Sequence, residues 1–172
     1  MARKSAQVRN LTEKKDAEID QWIHNHEQKG ATKEPLYLAL LEERARRSQR
    51  EGHLDVNKSL GLLTQAAKEQ RYVTYGDLAK ASNVEWSQAR HRMNGTNGHL
   101  DRLIDVCHAR GLPLLPAICV NESGRNSGVL EPTALRGFAA GARRVGFVFH
   151  DELDFHRHES EGCFRWGREG KK

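Results

Sequence analysis

No stretch of this chain is apolar for the roughly 20 residues that a membrane-spanning helix needs, and the opening MARKSAQVRN lacks the apolar run of a secretory signal. A cytoplasmic location with no membrane partner is therefore expected. Cysteine is sparse. Cys107, Cys119 and Cys163 are an odd set without C-x-x-C spacing, which argues against a disulfide framework and reads as reduced thiols. The chain has no G-x-S-x-G, no P-loop, no dinucleotide fingerprint and no adjacent Cys-His nucleophile pair, so the common enzyme classes find no foothold in it. Internal repeats and low-complexity blocks are absent too. Aromatic residues make up 6% of the 172 residues and apolar residues 37%, so the core is modest. The length suits one domain with an appendage or two very small ones.

Charge is what the chain has in quantity. Asp, Glu, Lys and Arg make up 30% of it, the formal net charge is +5, and nine histidines add to that. A basic excess of this size suits a polyanionic partner, although a soluble protein can also simply be basic.

Residues 1–52 read as a charged helical arm. Leu11, Ile19, Trp22, Ile23 and His26 recur at three- and four-residue steps, and Gly30 and Pro35 separate this stripe from a second helix that opens at Pro35. The second helix carries Leu36, Leu38, Leu40 and Leu41 and ends in Arg44, Arg46, Arg47 and Arg50, interleaved with Glu42, Glu43 and Glu51. Those arginines would line phosphates or pair within the helix. The stripe is too narrow for an independent core, which makes a second copy of the chain its natural cover and a homodimer the expected state.

Residues 53–130 hold the centre of the chain. Asp55 or Asn57 would cap a helix over residues 58–70. Residues 71–75 alternate as a short extended piece, and Thr74 with Asp77 three residues on forms a capping box. A short helix over 76–81, a turn at Ser82, Asn83 and Val84, a second short helix over 85–93 and a longer helix over 97–110 have the order of a helix-turn-helix. Leu78 and Ala79 would face Val84, Ala89 and Met93. The opposite face of the second helix then presents Trp86, Ser87, Gln88, Arg90, His91 and Arg92, suited to base edges and phosphates. Trp86 reads first as a core residue and second as a platform for an unpaired base. Arg71, Tyr75, Lys80, Arg102 and Arg125 complete the expected DNA-binding set.

Two resemblances rest on these residues. LAKASNV, followed by a polar helix and NGTNGHLDRLIDVCHARGLPL, resembles the helix-turn-helix of phage-repressor-type regulators over about a quarter of the chain. The order YVTYGDLA, Ala89-Arg90, Pro116 and VNESG is similar to the winged-helix DNA-binding part of alkyltransferase-like proteins. That family's Pro-Cys-His-Arg acceptor is replaced here by Pro116-Ala117-Ile118-Cys119, so alkyl transfer is not expected. The second resemblance implies a duplex-wedging role for Arg90. It also agrees with a wing, in which a buried strand over 117–120, a polar loop through Arg125 and a return strand at Val129-Leu130 would follow the helices.

Residues 131–172 are expected to form a small α+β region: a basic helix over 131–146, a strand over 145–149, a histidine-rich acidic stretch and a frayed basic tail from Gly167. His150, Asp154 and His158 recur at four-residue steps and would share a helix face, where zinc or another divalent ion is conceivable. The expectation is a mainly α fold with a helix-turn-helix, with or without a wing, that binds duplex DNA without a cofactor, as a regulator or as a sensor of DNA structure or damage. The alternatives are a metal-dependent nuclease using the histidine cluster, and a protein-interaction module with the helix-turn-helix as scaffold.

Overall fold

Local capping chemistry sets most of the helix starts in this computed structural model, which describes residues 10–49 and 54–170. The chain is mainly helical, with one small two-stranded sheet among the described residues. After a single 3-10 turn at Leu11–Glu13, α1 runs over Asp16–Gln28, where the Glu18 carboxylate accepts the Lys15 N–H at 3.0 Å. α2, Pro35–Gln49, begins at its proline. α3, Val56–Glu69, is capped by Asp55, which accepts the Lys58 N–H. The chain then passes through β1, Val73–Thr74, into α4, Tyr75–Ala81, whose Thr74–Asp77 capping box is present in full.

α5 is Trp86–Met93 and α6 is His99–Ala109. β2, Cys119–Val120, lies parallel to β1, with Val73 opposite Cys119 and Thr74 opposite Val120. α7, Pro132–Arg144, and α8, Glu152–Glu169, end the described chain.

The stripe on α1 is covered from within. Ile19 and Ile23 are buried, α1 packs on α2, and α2 in turn lays Tyr37, Leu40, Leu41 and Ala45 into a core shared with α6. A second subunit is not needed to cover it. One cluster of buried apolar side chains draws on residues 1–52, 53–130 and 131–172 alike, from Leu11 through Leu63 and Leu103 to Cys163. Of the arm's arginines, Arg50 lies outside the described residues. Arg44, Arg46 and Arg47 form ion pairs with Asp105, Glu43 and Asp16.

The extended elements depart from expectation. Over 117–120 only the last two residues are strand, because Pro113 and Pro116 interrupt backbone donation and Leu115–Ile118 closes into a 3-10 turn. The return strand at Val129-Leu130 does not form. The Gly128 N–H donates to the Gly124 carbonyl at 2.7 Å, and Gly128 sits at φ +73° with Tyr72 packed where a Cβ would be. β2 pairs with β1 instead, so no wing hairpin is present among the described residues.

Residues 145–149 are not strand either. Val145 caps α7, while Phe147 and Phe149 pack on Phe155 of α8. The region after residue 130 is therefore helical rather than α+β. Gly167, expected in a frayed tail, lies buried within α8, so close to α3 that a Cβ there would stand 2.3 Å from the Ala67 carbonyl oxygen.

Asp105 of α6 is fully buried and binds three guanidinium groups. Arg44 of α2 lies at 2.8 Å, Arg102 of α6 at 3.0 Å and Arg144 of α7 at 2.6 Å. Arg144 also reaches Glu27 of α1 at 3.1 Å. One carboxylate thus ties together the helices around α6, and removal of charge from such a group is costly.

His99, at the start of α6, meets Ser59 Oγ at 2.7 Å. Burial pulls its imidazole down to about 4, so it stays neutral in the fold. The unfolded chain takes up that proton near pH 6.5, so this contribution is full above about pH 6.5 and declines as the pH falls toward 4. We expect unfolding free energy to drop by up to about 3 kcal/mol across that window from this group alone. His156, also depressed by burial, acts in the same direction. Urea titrations at pH 7.5, 5.5 and 4.5 should give a shallower decline in His99→Gln than in the parent chain. Equal declines would remove His99 as the cause.

Candidate nucleic-acid interface

Two short helices and the turn between them are held by their own backbone. The Val84 N–H donates to the Ala79 carbonyl and the Asn83 N–H to the Lys80 carbonyl, both at 3.0 Å. Asn83 takes φ +54°, a left-handed conformation that asparagine tolerates better than most residues. The turn is anchored at its side, where Ser82 Oγ accepts the Asp55 N–H at 2.9 Å. That bond ties the start of α3 to the turn between α4 and α5.

Leu78, Ala79, Ala89 and Met93 are buried and Val84 is half-buried, matching the face expected to join the helices. On the far side of α5, Ser87, Gln88, Arg90, His91 and Arg92 are exposed, and so is Lys80 on α4. Arg90 Nε donates to His91 Nε2 at 3.2 Å. None of Lys80, Arg90 and Arg92 forms an ion pair among the described residues. The expectation of a core Trp86 does not hold. Its side chain is 44% exposed at the first turn of α5, because Ala89 and Met93 already fill the inward positions.

Other expected contact residues are engaged elsewhere. Arg102 is buried, held by Asp105 and by the Asn97 side-chain oxygen, and faces no solvent through which a phosphate would approach. Tyr75 is also buried, and burial pushes its phenol well above the usual value. Arg71 is exposed but pairs with Glu69. Arg125 bridges Glu122 at 2.8 Å and Asp77 at 3.0 Å, clamping the 121–128 loop to the start of α4. Burial works to raise the Asp77 carboxyl, but hydrogen bonds from Arg125 and Thr74 outweigh it and hold the group below its ordinary value.

His150, Asp154 and His158 line one pocket at the start of α8, but not as successive turns of a single helix. α8 begins only at Glu152, capped by Asp151, so His150 lies outside the helix and shares no four-residue step with Asp154. Arg157 occupies Asp154, and no group of three or more His, Cys, Asp or Glu side chains among the described residues is placed to hold a metal ion. All three cysteines are free and buried. Burial pushes the Cys107 thiol up to about 12 and the Cys119 thiol well above its ordinary value, so neither offers a thiolate.

Beside α5 lies a feature that periodicity alone did not point to. Asn94, Gly95 and Thr96, in the loop between α5 and α6, line a cavity of about 370 Å³ that also borders α6 and α7. The Asn94-Gly95 break was legible, but not that a cavity would open behind it.

Comparison with protein-family models, with curated proteins and with solved structures finds no match to this chain. Among the described residues, no helix is long and apolar enough to cross a membrane.

Proposed function

We propose that this chain binds double-stranded DNA through a helix-turn-helix formed by α4 and α5, with α5 as the recognition helix. The observation that carries this reading is the grouping of side chains on α5. Arg44, Arg102, Arg144 and Arg157 pair with carboxylates, whereas Arg136 of α7 and Arg165 and Arg168 of α8, like Arg90 and Arg92, form no ion pair among the described residues. Arg90 and Arg92 stand exposed on one short helix without acidic partners among the described residues, beside Ser87 and Gln88. Unpaired guanidinium groups next to short polar side chains suit phosphate positioning combined with base readout.

Lys80 adds charge on the preceding helix, and the exposed Trp86 adds a flat surface that would stack on an unpaired base. That combination supports a regulator on intact duplex or a sensor of altered DNA. The preferred DNA form separates the two.

The test is binding of the full chain to duplex, single-stranded and mismatched DNA from 50 to 200 mM salt. Affinity for duplex should fall steeply, with log K against log salt sloping by roughly −0.9 for each phosphate neutralised. A preference for mismatched duplex would mark a sensor. Absence of binding to every form at the lowest salt would sink the DNA reading.

A further inference from the structure

The cavity behind the α5–α6 loop has apolar walls and one charged group that nothing among the described residues fully answers. Leu100 and Ile104 of α6 and Ala134 and Phe138 of α7 supply the walls. Arg144 also borders it, but its guanidinium is held by Asp105 and Glu27 at 2.6 and 3.1 Å. Asp101 differs. Its Oδ2 accepts the Asn97 N–H at 3.0 Å, whereas Oδ1 has no hydrogen-bond partner among the described residues.

Glycine lets α7 pack close beside that oxygen. A Cβ at Gly141 would stand 3.0 Å from Asp101 Oδ1 and 2.6 Å from the Ile104 side chain. Burial pushes the Asp101 carboxyl above its ordinary value, against the pull of Arg144 and the Asn97 N–H. A half-buried carboxylate with a spare oxygen is stabilised by a cation that brings its own N–H donors.

We propose that this cavity binds a small organic cation, an ammonium group carried on a ring or short apolar body. The ammonium sits on Asp101 Oδ1, and the body packs among Leu100, Ile104, Ala134 and Phe138. The volume lies within the range of small-molecule sites, and a mostly apolar lining with one orienting polar group is their usual composition.

Three probes of one size decide it: benzylamine, benzyl alcohol and benzoate, each titrated calorimetrically into the full chain at neutral pH without DNA. Benzylamine should bind saturably, about tenfold or more tightly than the other two. Asp101→Asn keeps an acceptor for the Asn97 N–H and should weaken benzylamine by a similar factor. Gly137→Leu adds bulk at a lining position where nothing lies within 4 Å of a Cβ, and should abolish binding. Circular dichroism of both variants checks that each is folded. Equal affinity for the three probes, benzylamine binding unchanged in either variant, or no benzylamine binding at millimolar concentration would overturn the site. Tighter benzoate than benzylamine would overturn it too and point to Arg144. Because the readout contains no DNA, its outcome is separate from that of the nucleic-acid reading.

Discussion

Asp105→Ala is expected to lower the free energy of unfolding by about 3–5 kcal/mol. The carboxylate is fully buried, and the guanidinium groups it answers are shielded as well: Arg102 is 4% exposed, Arg44 15% and Arg144 18%. Among the described residues, its loss leaves Arg102 with only the Asn97 side-chain oxygen and Arg144 with Glu27 and the Asp101 carbonyl. Arg44, whose buried Nε lacks a hydrogen-bond partner among the described residues, keeps there only a 3.6 Å pair with Asp20.

The penalty comes from uncompensated buried charge rather than from lost attraction, so the pair energies are not to be added up. For a domain whose total stability is about 5–15 kcal/mol, a loss of this size brings the folded state near its limit. Urea denaturation followed by circular dichroism measures it. Asp105→Asn, which keeps the shape and one acceptor, should fall between the parent and the alanine variant. A loss below about 1 kcal/mol in Asp105→Ala would mean that the three arginines find solvent or new partners and that the hub is not structural.

Arg90→Ala combined with Arg92→Ala should weaken duplex binding by about 2–4 kcal/mol, on the order of a hundredfold, and flatten the salt slope by roughly one for each phosphate no longer neutralised. Both side chains are exposed and without ion pairs among the described residues, so thermal stability should barely move. That separation of binding from stability distinguishes a contact surface from a scaffold. Arg110→Ala, which breaks only an exposed pair with Glu42, serves as the charge control and should leave affinity and slope unchanged. If the double variant binds like the parent while Arg110→Ala does not, α5 is not the contact surface.

Much of the helical layout was legible because helix ends are local. Pro35 and Pro132 each open a helix, Asp55 caps α3, and the Thr74–Asp77 box starts α4. Even the turn around Asn83 and the inward set Ala89 and Met93 follow from spacing. Strands were another matter. Residues 117–120, 129–130 and 145–149 all look extended by composition, yet pairing partners are set by distant chain. Among the described residues only 73–74 and 119–120 find each other, and Phe147 and Phe149 do better stacked on Phe155 than exposed on an isolated strand.

The candidate site divides along the same line. That α5 would be polar, basic and outward-facing follows from the order of residues 84–93 alone, since a helix with Ala89 and Met93 inward must turn Arg90 and Arg92 out. Which arginines keep their charge available was decided only by tertiary structure. Arg102 and Arg92 are alike as residues on neighbouring helices, but α2 and α7 close over α6 and bring Arg102 into contact with buried Asp105, while nothing acidic among the described residues reaches Arg92. A short-range pattern sets a face and a cap. Electrostatic pairing depends on which distant segments fold against it, and that information is carried by the packed chain as a whole.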